Sequence, residues 1–316
     1  MIYQQARLLT SLQPHNAETF VAGAFGVRLP PVETRVGHLD VARNWRPRVL
    51  SNALGSLAVR GAIHEQGLDR NAFAHRAGVY SAIWLAAIFA LYFVLMPRGA
   101  LTAVLATYAG VAFAYLPGIA DRVYPWDLPA LFFVALFVCL LLRRRLELFL
   151  WALPIGVLCK ETIGVLVLAY LFVEGSRRRR LRRFGLGLGL VIAARALAGL
   201  LTRTPPGALV NPSLLLANLR FLVTGEFPHP EWYLWIPSPV WAFLLDGGLL
   251  LGFLLHPYRD ANTRMLRVLV LVLALGNLSS GIVFEYRIWF ELIPICLYPF
   301  VRAADRTSIP EAEPRP

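Results

Sequence analysis

Long apolar runs alternate with short polar turns along most of this chain. A bilayer crossing takes about 20 mostly apolar residues, and the pattern predicts membrane segments over 79–96, 100–116, 128–142, 184–201, 240–256, 266–284 and 288–301. Between 146 and 173 the run is broken once, by Lys160 and Glu161. Arginine blocks flank it, Arg143–Arg145 before and Arg177–Arg180 after. Arginines beside spans mark the cytoplasmic side, so the chain should leave and re-enter one face between them. Each limb then has roughly 15 residues, too few for a crossing. The expectation is a broken helical hairpin, limbs 146–158 and 163–173, whose tip Cys159-Lys160-Glu161-Thr162 stops inside the bilayer or just at its far side. One long tilted helix, with Lys160 and Glu161 neutralising each other, is the alternative. A charge pair at membrane depth is a functional-site candidate.

The fold class expected is therefore all-α: a polytopic transmembrane helix bundle with interfacial amphipathic helices. Its domains are an external loop-like segment over 1–78, a bundle over 79–303 and a disordered tail over 304–316. Composition agrees, with 57% apolar and 16% charged residues and mean hydropathy +0.58. That excludes an ordinary soluble globule. The net charge of +12 is mostly arginine at span ends, which points to topology and membrane lipids rather than nucleic acid. Cys139, Cys159 and Cys296 all lie in apolar runs and read as small packing residues.

Charge also orients the spans. Arg98, both arginine blocks, Arg259, Arg264, Arg267, Arg302 and Arg306 fall on one side, the cytoplasmic one. The other face collects 1–78, 117–127, 203–239, 285–287 and the hairpin tip. That leaves 1–78 outside with nothing to carry it across, so a preceding span is expected to be missing or reduced to the stub 20–27. Within 1–78, residues 48–60 place Val49, Leu50, Ala53, Leu54, Leu57 and Ala58 at helical spacing, with Ser51, Asn52 and Ser56 opposite. Such a stripe lies flat at the interface or docks on the bundle. Ser213 reads as the N-cap of a helix over 214–223.

Polar residues at membrane depth are the candidate chemistry. Arg195 and Asp246 match in depth and should pair, with Asn277 and Glu291 at a similar level. A plain ion pair locking two helices explains them equally well. On the outer face stand Asp121, Arg122, Tyr124 and Asp127 before one span, and Glu285 and Arg287 before another. Carboxylates and arginines converging there can deprotonate a hydroxyl and hold a phosphate. The duller readings are a helix cap for Asp127 and interface-belt aromatics for Trp126, Trp232 and Trp235. No nucleotide, zinc-protease or nucleophile-elbow motif is present, no metal site is readable, and no cofactor is named by the sequence. Gly185, Gly187 and Gly189 read as close helix packing.

Three stretches carry a family resemblance: Leu39-Asp40 through Val49-Leu50, Tyr124-Pro125-Trp126-Asp127, and Leu158-Cys159-Lys160-Glu161-Thr162. In their order the chain resembles the polytopic GT-C glycosyltransferases, of the mannosyltransferase and aminoarabinose-transferase kind. Those enzymes take sugars from polyprenyl-phosphate carriers at the external face. The resemblance implies a bacterial inner-membrane enzyme, a polyprenyl-phosphate-linked sugar as partner, and Asp40 as catalytic base in the first external loop. A cation such as Lys160, Arg122 or Arg287 would neutralise the departing phosphate, so Lys160 is expected to be reachable from outside. Family members normally have a span before that loop, and this chain shows none. A transporter or flippase-like protein, or a non-catalytic membrane subunit, is the other reading.

Overall fold

The computed structural model describes residues 48–64, 67–96, 126–173, 175–202, 212–224, 248–257, 260–280 and 290–307. Nearly all of these are helical. Helix α1 (Val49–Val59) leads through a two-residue antiparallel ribbon, β1 (Ile63–His64) against β2 (Gly67–Leu68), into the long α2 (Arg70–Leu95). Helix α2 starts nine residues before the apolar run it was expected to follow. The cause is Asp69, whose carboxylate accepts from the backbone N–H groups of Asn71 and Ala72 at 3.0 and 3.1 Å and so caps the first turn.

Helix α3 (Asp127–Leu142) is apolar on every side and buried almost throughout, as a helix at the centre of the packing must be. Trp84 meets Phe132 edge to face at 5.6 Å, and Arg143 donates to the Leu95 carbonyl at 2.7 Å. The two contacts are equally spaced along both helices (84 to 95, 132 to 143), so α2 and α3 run parallel. The second also satisfies one of the carbonyls a helix end leaves open.

Next comes the interrupted run. A 3₁₀ turn (Leu146–Leu148) continues into α4 (Phe149–Cys159), Lys160 is extended (φ −157°, ψ 131°), and a second 3₁₀ helix covers Glu161–Leu171. The two limbs fold back on each other. Tyr170 donates to the Leu146 carbonyl at 2.8 Å across the mouth. Near the tip, a Cβ on Gly156 would lie 2.7 Å from Ile163 Cγ2 and 3.0 Å from Phe133, so only glycine allows this approach. An eleven-residue 3₁₀ helix is unusual, and its rise explains it. At ~2.0 Å per residue it reaches roughly 22 Å. The other limb, three 3₁₀ residues and eleven α-helical ones, reaches about the same. Both fall short of the ~30 Å hydrocarbon layer.

Helix α5 (Arg177–Thr202) packs along the hairpin on a narrow face. A Cβ on Gly187 would meet Val167 Cγ2 at 2.6 Å, while Gly185 and Gly189 have open space beside them. Of the three expected packing glycines, only Gly187 sits at a close approach. Helix α6 (Pro212–Thr224) begins at Pro212, a residue suited to a first helical position, one residue before the expected Ser213 cap. It is tied by Asn218 to the Leu278 carbonyl at 2.7 Å. Helices α7 (Gly248–Leu255), α8 (Ala261–Ser280) and α9 (Ile293–Thr307) complete the described chain. Helix α9 runs four residues into the expected tail.

Asn71–Leu95, Arg177–Leu201 and Ala261–Ser279 are long and apolar enough to cross a membrane. Their exposed surfaces carry large apolar side chains such as Phe93, Ile192, Leu200 and Leu275, the surface of a membrane protein. The expected segment 100–116 and residues 240–247 of the expected segment 240–256 lie outside the described residues.

At one end of α8, Asp260 accepts from the Asn262 and Thr263 backbone N–H groups and the Thr263 hydroxyl, and from Arg302 at 3.3 Å. Partial burial works to raise the Asp260 carboxyl, but Thr263, Arg302 and Asn262 together hold it below its ordinary value. A carboxyl lowered on folding contributes stability above its unfolded pKa of about 3.9, and loses it as pH falls through the lower folded value. Asp260→Ala is therefore expected to lower the unfolding midpoint at neutral pH, with the gap to wild type closing as the buffer is taken down toward pH ~3. A gap that stays constant down to that pH would show that the carboxylate charge is not involved.

Candidate functional site

The hairpin tip gathers charge from four separate stretches of sequence. Lys160 is 5% exposed. Its Nζ bonds Glu291 Oε1 and lies 3.8 Å from Asp127 Oδ1. Thr162 donates its hydroxyl to the other Glu291 oxygen at 2.7 Å. Glu161 faces away from this group and takes a two-pronged bond from Arg48, with Nε to Oε2 at 3.0 Å and Nη2 to Oε1 at 2.6 Å. Arg48 also lies over the Trp126 ring, 4.5 Å from its centroid.

Local structure puts each group there. Lys160 is the extended residue between the limbs, so its side chain leaves the tip sideways toward the start of α3 and the 3₁₀ turn Phe290–Leu292 before α9. Asp127 is the first residue of α3 rather than a residue ahead of it, and its carboxylate turns to Lys160. Arg48 precedes α1, where a cation opposes the positive end of the helix dipole; Glu161 compensates it. Burial works against the Arg48 charge, yet Glu161 beside it, then Asp127 and Glu291, raise its pKa above the ordinary value. A guanidinium stays charged in any case, so the shift reports how anionic the surroundings are. Helix α1 presents Ser51, Asn52 and Ser56 to the protein, with Leu57 64% exposed. Its small polar side is packed, and the apolar stripe is divided: Leu50, Leu54 and Ala58 pack partly against the core while Leu57 points outward. Ser51 donates to the Cys159 carbonyl at 3.1 Å, one that the end of α4 leaves open. No family model, curated protein or solved structure matches this chain. The chemistry of the site has to be argued from its own residues.

Two cations, Arg48 and Lys160, face three carboxylates, Asp127, Glu161 and Glu291. All five are held by ion pairs inside the protein. The mutual neutralisation of Lys160 and Glu161 that the single-helix alternative requires does not occur; each neighbour has a distant partner instead. Lys160 is also buried, not open to the outside as expected, because the 3₁₀ turn before α9 covers it with Glu291. Trp126, read as an interface-belt aromatic, is 2% exposed beneath Arg48. Glu291 was grouped with Arg195 by depth, but its partners are Lys160 and Thr162. Arg195 on α5 has its buried Nη1 without a hydrogen bond among the described residues, and Asp246, its expected partner, lies outside them. So do Asp40, Asp121, Arg122, Tyr124, Glu285 and Arg287. No cluster of metal-ligating side chains occurs among the described residues, and Cys139, Cys159 and Cys296 are buried free thiols. Sequence alone groups Arg48 with Asp40, Arg43 and Arg46 among the outer-face polar residues, and does not single it out as a partner of the hairpin tip. Its signal was a cation at the head of a helix, a position that calls for a carboxylate partner.

Proposed function

We propose that this protein is a polytopic membrane glycosyltransferase-like enzyme of the bacterial inner membrane. It transfers a sugar from a polyprenyl-phosphate carrier to a hydroxyl acceptor at the external face. One observation carries the reading. The three stretches that give the chain its likeness to the GT-C enzymes contribute Arg48, Trp126 with Asp127, and Lys160 with Glu161 and Thr162 to a single network. Residues so far apart in sequence meet at the tip of a hairpin too short to cross the bilayer.

In this mechanism Asp40 takes the proton from the acceptor hydroxyl, whose oxygen attacks the anomeric carbon, and the lipid phosphate leaves with the bonding pair. Lys160 and Arg48 are already neutralised by carboxylates, so they act as positioning residues. The phosphate charge falls to Arg122 and Arg287. Each stands four residues before a network member, Trp126 and Glu291, within about 14 Å of it along an extended chain. Preorganised cations where charge develops supply the electrostatic stabilisation. The test is transfer from a polyprenyl-phosphate sugar by the full chain in proteoliposomes. Wild type is expected to transfer and Asp40→Asn to lose at least about 10²-fold, the low end of what a general base contributes. Equal rates in the two proteins, or no transfer by well-folded wild type across common donors, would overturn the reading.

A second reading rests on the closure of the same network. With Lys160 enclosed by two carboxylates, the tip has the character of a lock between helices, as a transporter-like protein or a non-catalytic subunit could use. Movement of lipid-linked sugar across vesicles without transfer would favour it.

A further inference from the structure

The mouth of the hairpin, at the end opposite the Lys160 network, carries cations that form no ion pair among the described residues. Helix α5 opens with Arg177–Arg180, followed by Arg182 and Arg183, and its first turn has no acidic side chain. A helix start already carries positive partial charge, and like charges three and four residues apart repel. The sequence thus loads arginine where a helix tolerates it least. Among the described residues, protein groups answer only two of the six. Arg183 pairs with Glu147 at 2.5 Å, and Arg180 donates to the Leu171 carbonyl at 3.2 Å. Arg177, Arg178, Arg179 and Arg182 are exposed and form no ion pair among the described residues; Glu174, nearby in sequence, lies outside them.

The Arg183–Glu147 bond draws a second basic turn to the same place. Arg144 and Arg145 close α3 and are exposed, and Arg144 takes a left-handed backbone (φ 54°). Exposed apolar side chains begin immediately beyond: Leu181 and Leu186 are each 51% exposed on α5, and Trp151 is 72% exposed on α4. Surfaces of that kind require acyl chains, so the arginines stand at the level where acyl chains give way to phosphates.

We propose that the two arginine turns form one binding surface for anionic phospholipid headgroups. Lipid phosphates bridge the Arg144–Arg145 turn to the Arg178–Arg182 turn and hold the mouth of the hairpin shut. Guanidinium forks bind phosphate oxygens in pairs, which makes a shared phosphate a bridge as well as a counterion. A role in topology alone requires only that the arginines stay on one side; bridging requires that both turns lose stability together when the anion is removed. The surface is independent of any transferase activity.

The test uses the full chain in nanodiscs of phosphatidylcholine alone and of phosphatidylcholine with phosphatidylglycerol. Thermal unfolding and the phospholipid retained in native mass spectrometry are the readouts. Wild type is expected to unfold several degrees higher with phosphatidylglycerol and to retain it. The triple variant Arg145→Gln, Arg178→Gln, Arg182→Gln changes only exposed side chains. It should match wild type in phosphatidylcholine and lose most of the rise and the retained lipid. A variant that keeps the full rise, or a wild type with none, overturns the proposal. Inorganic phosphate added to phosphatidylcholine discs separates the sources: if it reproduces the rise, the surface takes a free anion and the lipid assignment fails.

Discussion

Replacing Lys160 by methionine is expected to destabilise the protein by about 3–5 kcal/mol, the range for removing one partner of a buried ion pair. The ammonium sits between Glu291 and Asp127 with both side chains almost fully covered. Without it the Glu291 carboxylate loses its cation in a dry setting, and must stay charged there or take up a proton. The double change Lys160→Met with Glu291→Met should recover a large part of the loss, because a buried pair replaced by apolar groups of similar volume is often neutral. Unfolding titrations in mixed detergent, run on both variants, measure the difference. If Lys160→Met unfolds at the wild-type midpoint, the network is not as the structure has it, and the site needs another centre.

Replacing Arg48 by alanine is the second large effect, expected at about 2 kcal/mol, in the range of charge-assisted hydrogen bonds. It is smaller than the first because Arg48 and Glu161 keep 13% and 23% of their side-chain surface, which leaves water to screen Glu161 once its partner has gone. Arg48→Lys should recover only part of this, since an ammonium cannot reproduce the two-pronged bond or the stacking on Trp126. The more specific readout is position. The pair ties the start of α1 to the hairpin tip, so cysteines introduced at Leu50 and Ile163 should react with maleimide faster in Arg48→Ala than in the parent. Unchanged labelling together with unchanged stability would mean that the clasp holds nothing in place.

What could be read from the sequence follows what each signal depends on. The hairpin at 146–173 was legible because hydrophobic length and flanking arginines report membrane reach directly, and the limbs turn back at Lys160 as that argument requires. The partners of Lys160 and Glu161 were not legible. Adjacent opposite charges suggest a local pair, whereas an extended residue sends successive side chains to opposite sides, one to Glu291 and the other to Arg48. The packing of α1 was half legible for a related reason. A helical stripe shows which side is apolar, and Leu50, Leu54 and Ala58 do pack on the core, but in a chain surrounded by lipid the small polar side packs as well, since it permits close approach. Start positions failed where a cap decides: Asp69 begins α2 well before its apolar run.

The second hairpin limb has a consequence of its own. In a 3₁₀ helix the residues at i and i+3 lie directly above one another. Burial along the limb follows that beat, with Ile163, Leu166 and Ala169 in one column and Gly164, Val167 and Tyr170 in the next. The second column meets α5 through Gly164 beside Val191 and Val167 beside Gly187. The seam is therefore straight, and its reading frame is a triplet. Losing or gaining one residue would turn every later side chain by about 120° and bring the wrong column inward. Three residues added or removed would restore the columns and move the tip by roughly 6 Å. Chain length in this limb is thus quantised: the depth of the charged tip can change only in steps of one triplet.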